Sequence, residues 1–197
     1  MEKTCLNCGK PMKVAGTGRP KKFCGQTCRK AMSRRVRSVP VPSSLVELDR
    51  WVSWKPVRRG DRWTKMPVQT NGSAASSTNP ATWTDFQSVS ALKRIGFVLG
   101  CDVEGLRLVC VDLDQCFLPD GSLTVGATDF LEGFPATWVE KSPSGEGLHV
   151  WGLVSDRPKR CVFEHLGQPV EVYSEGRYIT VTRDLWGASP LVLAVVS

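Results

Sequence analysis

Two aspartates at the end of an apolar run are the residues of this chain best suited to chemistry. The run Leu106–Gln115 reads LRLVCVDLDQ, and its almost continuous apolar, β-branched character predicts a strand buried on both faces. Side chains two positions apart on a strand share a face, so we expect Asp112 and Asp114 to project side by side. Adjacent carboxylates repel each other, and a divalent cation relieves that repulsion. The alternative is a pair of acids at the solvated end of a strand.

A glycine-rich turn followed by a histidine is the second candidate. Residues 142–149 read SPSGEGLH, in which Gly145 and Gly147 allow backbone amides to approach an anion and Ser144 adds a hydroxyl donor. His149 begins the apolar run LHVWGLV, where a histidine is often a core residue. The adjacent turn favours a functional role for His149, although the turn alone matches no Walker phosphate-binding pattern.

A carboxylate inside an apolar strand is the third candidate. Residues 169–182 read PVEVYSEGRYITVT, and Glu171 lies in the apolar part before the turn SEGR. A carboxylate in such a position normally needs a cation or a hydrogen-bond donor. Arg177, across the turn, could be that structural partner. Equally, Glu171 could complete a metal site while Arg177 faces phosphate.

Four cysteines near the start of the chain have the spacing of a zinc site. Cys5 and Cys8 form C-x2-C, fifteen residues follow, and Cys24 and Cys28 form C-x3-C. This pattern predicts a closed four-thiolate zinc site, with a tight turn at Gly9 after the first pair. A unit of about forty residues is too small to be stabilised by a hydrophobic core alone, and a bound metal ion can supply the missing stability. The alternative is four unrelated free thiols.

Charge is distributed unevenly along the 197 residues. The net charge is +7, yet residues 1–37 carry eleven Lys and Arg against one acid, so the rest of the chain sums to −3. A small basic head on a mildly acidic body suggests a polyanionic partner, most simply nucleic acid. The sequence lacks both an apolar run long enough to span a membrane and a secretory signal. We therefore expect a cytoplasmic protein whose eight cysteines are thiols or metal ligands.

The chain is expected to contain two structured parts. Residues 1–38 form a basic zinc-binding module that ends in a short helix (RKAMSRRVR), residues 39–46 form a semi-rigid linker, and residues 47–197 form the main domain. A helical pattern covers Ala81–Ile95. Three hairpins are predicted, 51–58 with 63–69, 137–140 with 148–154, and 169–173 with 178–182. Strands outnumber helices and come as hairpins, which favours the α+β class.

In this order the three motifs resemble the archaeo-eukaryotic primase superfamily, specifically the primase-polymerase domains of phages and plasmids. The resemblance spans about Trp51 to Asp184. It rests on Asp112-Leu113-Asp114, on the Ser-Gly-x-Gly-x-His turn that ends at His149, and on Glu171 before Arg177-Tyr178-Ile179-Thr180. The upstream stretches WVSWKPV, TKMPV, ASSTNPATW and GFVLG are also similar to these domains.

The resemblance implies a primase-polymerase catalytic core with an RRM-like mixed sheet. Asp112, Asp114 and Glu171 would bind two Mg2+ or Mn2+ ions. His149 and Ser144 would contact the phosphates of the incoming nucleotide. Further phosphate or template contacts are expected from Lys65, Lys141 and Arg177.

The implied function is template-directed nucleotidyl transfer by a DNA primase/polymerase in phage or plasmid replication. Its partners would be single-stranded DNA, nucleoside triphosphates and, since no helicase module follows in the sequence, a separate helicase. If phage-encoded, the protein would act in the cytoplasm of the host cell. Two alternatives remain open, a non-catalytic replication initiator or loading factor on a primase-like fold, and a metal-dependent nuclease.

Overall fold

A computed structural model of the 197-residue chain describes residues 3–5, 8–12, 21–37, 39–156, 158 and 160–196. The chain divides into two compact units, residues 1–39 and residues 40–197. Residues 13–20 of the predicted zinc-binding module lie outside the described residues. Within the described ranges, none of the helices combines the length and the apolar character needed to cross a membrane.

The described part of the smaller unit contains a short β-ribbon and one helix. Strand β1 (Lys3–Thr4) pairs antiparallel with β2 (Pro11–Met12), and helix α1 covers Gln26–Arg37. Between the strands, Gly9 has a φ of +70° and its amide donates to the Cys5 carbonyl oxygen at 2.8 Å. Glycine reaches this conformation without steric cost. The predicted turn after the first cysteine pair and the predicted basic helix are both confirmed.

The larger unit is built mainly of strands, which fold into two sheets. Its helices are α2 (Ser43–Val46), α3 (Phe86–Val89) and α4 (Val125–Glu132). Its strands are β3 (Trp51–Arg59), β4 (Arg62–Val68), β5 (Ile95–Val98), β6 (Asp102–Val103), β7 (Leu106–Leu113), β8 (Val139–Lys141), β9 (Leu148–Val154), β10 (Cys161–His165), β11 (Gln168–Tyr173), β12 (Tyr178–Val181) and β13 (Ala194–Val195).

The first sheet has the strand order β10-β11-β7-β9-β13, with β6 paired to β7 and β8 paired to β9. Its pairs are antiparallel except β13 with β9, so the sheet is mixed. Along the chain β7, α4, β8, β9 and β11 follow one another, while in space the strands run β11-β7-β9-β8. This is the order of a split β-α-β-β-α-β unit, with β10 in the place of the second helix. The predicted α+β class is confirmed.

The second sheet has four strands in the order β12-β5-β3-β4. The predicted hairpin of β3 and β4 is present, with Arg59 opposite Arg62 next to the turn. Strand β3 also pairs with β5, but only from Trp51 to Ser53. Pro56 lies beyond that segment, where its missing N–H removes no bond to a neighbouring strand.

Alternation along the strands gives the first sheet two unlike faces. One face carries the apolar cluster of Val111, Leu113 and Leu148, onto which residues from α4 and the neighbouring loops pack. The other face carries the alternate residues, and among them the Trp151 ring meets Phe97 of the second sheet with 6.3 Å between ring centres. Polar residues on this second face therefore lie toward the other sheet.

The helix predicted over Ala81–Ile95 is largely absent. A 3-10 turn covers Pro80–Thr82 and α3 has four residues. Asp85 caps α3 by accepting from the Ser88 amide at 2.9 Å. Ile95 then begins β5, which is paired along both edges. Strand pairing in the centre of the sheet has prevailed over the local helical pattern.

The hairpin predicted from 169–173 and 178–182 is also wrong. The first segment is β11, whose edges are already paired with β10 and β7. No edge of β11 remains for the second segment, which becomes β12 and pairs with β5 in the other sheet. The turn between them therefore carries the chain from one sheet to the other.

Most of the segment 39–46, predicted as a linker, belongs to the larger unit and contributes to its core. They include α2, and both Val41 and Leu45 are buried. The carbonyl oxygen of Leu45 accepts a hydrogen bond from the Trp51 indole at 3.1 Å. The segment is thus anchored by both apolar packing and a hydrogen bond.

We expect Leu45→Ala to lower the free energy of unfolding of the larger unit by about 2–5 kcal/mol, because it opens a cavity in a fully buried position. All seven tryptophans lie between positions 51 and 186, so urea unfolding followed by tryptophan fluorescence reports on this unit. Exposed Glu47→Ala is the control, expected within about 0.5 kcal/mol of the wild type. Equal effects of the two substitutions would mean that the segment is not part of the core.

Candidate active site and thiol cluster

Four ionisable side chains lie in one row across the first sheet. Asp112 of β7 is directly opposite Glu171 of β11 on one side and His149 of β9 on the other. His149 in turn is opposite Glu140 of β8. Directly opposed residues in antiparallel strands share a face, with Cβ atoms about 4.5–5.5 Å apart. The register therefore brings together three of the predicted site residues, Asp112, His149 and Glu171.

His149 is held between two carboxylates. Its side chain is 5% exposed, with Nδ1 at 3.5 Å from Glu140 Oε1 and Nε2 at 3.9 Å from Asp112 Oδ1. Because Asp112 is the more exposed of the two acids, Nε2 is the ring nitrogen on the open side of the site. The imidazole is thereby oriented by its neighbours in the row.

Glu140 was not among the predicted site residues, but it belongs to the row because it is opposite His149. Its side chain is 0% exposed, and Oε2 accepts from the amides of Thr182 at 3.0 Å and Arg183 at 2.8 Å. The Glu140 carboxylate therefore connects β8 with the segment after β12. The Arg183 guanidinium in turn donates to the carbonyl oxygens of Ser90 and Leu92. The signal in the sequence is a single acid directly after the apolar residues Trp138 and Val139 of a predicted strand, which is similar to the position of Glu171.

Asp114 is positioned by a turn and not by strand alternation. Strand β7 ends at Leu113, and Oδ1 of Asp114 accepts from the Gln115 amide at 3.1 Å. The carbonyl oxygen of Asp114 accepts from Nε2 of Gln168 at 2.7 Å. Gln168 is buried on β11, so it fixes the backbone of the second aspartate from the neighbouring strand.

The glycine-rich turn packs against the end of β7. A Cβ at Gly147 would lie 2.6 Å from the Leu113 carbonyl oxygen and 3.3 Å from the Asp114 Cα, so only glycine permits this approach. Gly145 has a φ of +79°, and its amide donates to the Ser142 carbonyl oxygen at 3.0 Å.

The Ser144 hydroxyl is exposed and is itself part of this turn. It lies 2.9 Å from the Ser142 hydroxyl and accepts from the Glu146 amide at 3.2 Å. The Gly145 and Glu146 amides are thus occupied within the turn, which differs from the open anion cradle that the glycines suggested. The contact of Ser144 with phosphate stays a prediction.

A pocket of about 390 Å3 separates the two sheets at the acidic row. Its lining comes from both sheets and comprises Asp112, His149, Trp63, Thr64, Lys65, Arg177, Tyr178, Ile179 and Thr180. Among the predicted contacts, Lys65 and Arg177 therefore share the pocket with Asp112 and His149. Arg177 reaches it because β12 belongs to the second sheet.

Lys65 lies within electrostatic reach of both aspartates. Partial burial lowers the pKa of Lys65, and the charges of Asp112 and Asp114 oppose that shift. Arg177 adds repulsion that lowers the pKa of Lys65 further. The pocket thus combines cationic and anionic groups, an arrangement suited to a phosphate ligand that carries a divalent cation.

The structure assigns Glu171 a different neighbour from the one considered in the sequence. Its Oε1 lies 3.9 Å from Nη2 of Arg160, and the Glu171 side chain is 34% exposed. The guanidinium of Arg177 instead lies 4.1 Å from the centre of the Tyr173 ring. Arg177 is therefore held by an aromatic face at the edge of the pocket.

Lys141 lies on the other face of the first sheet. It is next to Glu140 on β8, and successive residues of a strand point to opposite faces. Its Nζ is 5.6 Å from the Trp186 ring centre and 5.8 Å from that of Phe117. Lys141 is thus separated by the sheet from the row of acids that it was expected to join.

The four predicted cysteine ligands come together in the smaller unit. The sulfur atoms of Cys5, Cys8, Cys24 and Cys28 all lie within 4.8 Å of one another. Cys24 Sγ is 3.7 Å from Cys8 Sγ and 3.5 Å from Cys28 Sγ. A tetrahedral site with Zn–S bonds of about 2.3 Å has S–S edges of about 3.8 Å. The thiol cluster therefore fits a zinc ion in both donor type and size.

Asp112, Asp114 and Glu171, the predicted Mg2+ or Mn2+ ligands, are less closely gathered than the four thiols. In the described part of the chain, the thiol cluster alone has three or more metal-ligating atoms within 4.8 Å of one another. Asp112 is 27% exposed, and it faces Glu171 across adjacent strands, where like charges are destabilising. Hard oxygen donors that repel one another fit Mg2+ or Mn2+ chemically.

The larger unit is thus an α+β domain in which Asp112 and His149 of the row share a pocket between two sheets with Lys65 and Arg177. No family model matches the chain. In an alignment 160 residues long that covers 77% of the chain, the sequence is 31% identical to the DNA primase-polymerase of Nitratiruptor phage NrS-1. The chain spans about a fifth of the length of that relative, 21%. The similarity agrees with the resemblance noted in the motifs.

We expect Glu140→Ala to lower the free energy of unfolding by about 2–5 kcal/mol, because it removes a fully buried side chain and leaves two partly buried amides without an acceptor. Glu140→Gln keeps an acceptor oxygen and should therefore lower the free energy of unfolding by a smaller amount. Exposed Glu164→Ala is the control for removal of a carboxylate and should change the stability by under about 0.5 kcal/mol. Urea unfolding measures all three, and a Glu140→Ala variant as stable as the control would contradict the role assigned to this carboxylate.

Proposed function

We propose that the larger unit is a template-directed nucleotidyltransferase, a DNA primase/polymerase of phage or plasmid replication. The observation that carries this proposal is the row of Glu171, Asp112 and His149, of which Asp112 and His149 line a pocket together with Lys65 and Arg177. The similarity to a phage DNA primase-polymerase supports it independently. The proposed partners are a single-stranded DNA template, nucleoside triphosphates and a separate helicase that opens the duplex.

In the proposed reaction, the 3′-oxygen of the growing strand attacks the α-phosphorus of the nucleotide. A new P–O bond forms, and the bond to pyrophosphate breaks as pyrophosphate leaves. Asp112, Asp114 and Glu171 would hold two Mg2+ or Mn2+ ions. When bound, these ions favour the deprotonated attacking oxygen and neutralise the charge of the triphosphate.

The other residues of the site bind and orient the triphosphate. Nε2 of His149 lies on the open side of the row and would donate to a phosphate oxygen, while Glu140 holds the ring from behind. Lys65 and Arg177 approach the pocket from the second sheet and would pair with the other phosphate oxygens. Fixed donors of this kind need little reorganisation when charge develops.

Asp112→Asn and Asp114→Asn should each abolish Mg2+- or Mn2+-dependent nucleotide incorporation on single-stranded template, because the amide is a weaker cation ligand than the carboxylate. Incorporation is followed by gel on primed and unprimed templates, and unfolding curves verify that the variants fold. Asp120→Asn removes an exposed carboxylate from the loop that follows β7 and should keep wild-type activity.

Synthesis by folded Asp112→Asn and Asp114→Asn variants would contradict the proposal. A wild-type protein that binds template, incorporates no nucleotide and is not stabilised by nucleotide with Mn2+ would favour the non-catalytic initiator instead. Cleavage of the template without synthesis would favour the nuclease.

We further propose that the smaller unit is held together by one zinc ion bound by Cys5, Cys8, Cys24 and Cys28. The S–S distances support this assignment, as does the small size of the unit. In the absence of metal, the neighbouring thiols raise the pKa of Cys24 to about 12. Four thiolates at these distances therefore require a cation.

Cys24→Ser should lose the zinc, measured as metal content by mass spectrometry after purification, and should bind template less well. Cys161→Ser is the matched control, because Cys161 is an exposed cysteine outside the cluster. It should keep one zinc per chain. Equal zinc content in the two variants would rule out the thiol cluster as the binding site.

A further inference from the structure

The hairpin of β3 and β4 extends from the second sheet as a two-stranded ribbon. Strand β3 pairs with β5 only up to Ser53, whereas its pairing with β4 continues to Arg59. Strand β4 is the edge of the sheet. In the described structure, the ribbon from Trp54 to Pro67 is therefore flanked by no other strand.

This ribbon is positively charged although the body that carries it is acidic. Residues 51–68 contain five Lys and Arg and one acid, while residues 38–197 have a net charge of −3. Lys55, Arg58, Arg59 and Arg62 are all exposed. Oδ1 of the single acid, Asp61, lies 3.7 Å from Nη2 of Arg58. A local cluster of cations on an acidic surface directs a phosphate backbone to that place.

Trp63 combines high exposure with a position at the pocket. Its exposed fraction is 70%, whereas the other six tryptophans are buried or half-buried. It is opposite Arg58 in the ribbon and lines the same pocket as Lys65 and Asp112. An exposed indole among arginines is the composition of surfaces that stack single-stranded bases.

We propose that the β3–β4 ribbon binds the single-stranded template, with its arginines on the phosphates and the Trp63 indole stacked on the template base next to the pocket. This inference rests on the proposed function, since it names the surface that presents the template to the row of acids. Charge complementarity and continuity with the pocket select single-stranded nucleic acid as the occupant. An acidic protein is the competing occupant that the test distinguishes.

The full-length chain is titrated with a fluorescein-labelled deoxythymidine oligonucleotide, without nucleotide or divalent cation, and anisotropy is recorded. Trp63→Ala should weaken binding about 5- to 150-fold, the loss expected for one stacked base. Trp63→Phe, which keeps an aromatic face, should bind close to the wild type. Phe163→Ala removes an exposed aromatic from β10 and should leave binding unchanged.

Salt dependence separates the arginines from the indole. Log affinity falls with log salt concentration, and each phosphate contact on a single strand adds about 0.7 to the steepness of that fall. The double variant Arg58→Gln/Arg62→Gln should therefore make the fall less steep by about 1.4. Trp63→Ala should leave the slope unchanged while lowering affinity. Unfolding curves verify that each variant folds, as expected for exposed positions.

Unchanged oligonucleotide binding in the Trp63→Ala and Arg58→Gln/Arg62→Gln variants would overturn the inference and point to an acidic protein partner. Unchanged binding by Trp63→Ala, together with a raised KM for nucleotide, would assign the indole to the incoming base instead. Both results leave the proposed nucleotidyl transfer standing. Conversely, nucleotide incorporation by a folded Asp112→Asn variant would contradict the proposed nucleotidyl transfer. The binding assay would still test the ribbon, because it uses neither nucleotide nor cation.

Discussion

The antiparallel register of β11, β7, β9 and β8 is the constraint on which the candidate site depends. It places Asp112 opposite both Glu171 and His149, and His149 opposite Glu140. A slip of one residue would turn Asp112 into the apolar cluster that contains Val111 and would expose that cluster to the other sheet. The packing of the core on one face of the sheet therefore maintains the arrangement of charged groups on the other face.

The exposed fraction of the side chain increases along this row from Glu140 to Glu171. Glu140 is fully enclosed and bound by backbone amides, His149 is almost enclosed, and Asp112 and Glu171 are partly open. The enclosed end orients the histidine, while the open end leaves carboxylate oxygens accessible, as the proposed binding of cations and substrate requires. Such a site is preorganised where it needs rigidity and accessible where it needs ligands.

The second sheet supplies the groups that turn this row into a pocket. Lys65 and Trp63 come from β4, and Arg177 comes from the segment that leads into β12. The chain crosses from the first sheet to the second between β11 and β12. This crossing places Arg177 on the side of the pocket that the second sheet forms. The ribbon of β3 and β4 extends the same wall and adds positive charge to an otherwise acidic unit.

Local sequence patterns were sufficient for several parts of this protein. The cysteine spacing predicted the thiol cluster, the segments 51–58 and 63–69 predicted the β3–β4 hairpin, and the apolar run that contains Asp112 predicted the central strand. Each of these depends on residues close together in the chain, so the relevant geometry is encoded by propensity and periodicity. The α+β class followed from the same signals.

Only the tertiary structure decided which residues share the site. Strand pairing depends on which edges are free, and β11 has none, so Arg177 joins the pocket and Arg160 becomes the neighbour of Glu171. Alternation combined with the register places Lys141 on the far face and brings the unforeseen Glu140 behind His149. The sequence alone determined the candidate carboxylates, the histidine and the thiols, because their types and local spacing are visible in one dimension. Their partners were decided by long-range pairing, since a two-residue period reveals a face but not the strand that lies beside it.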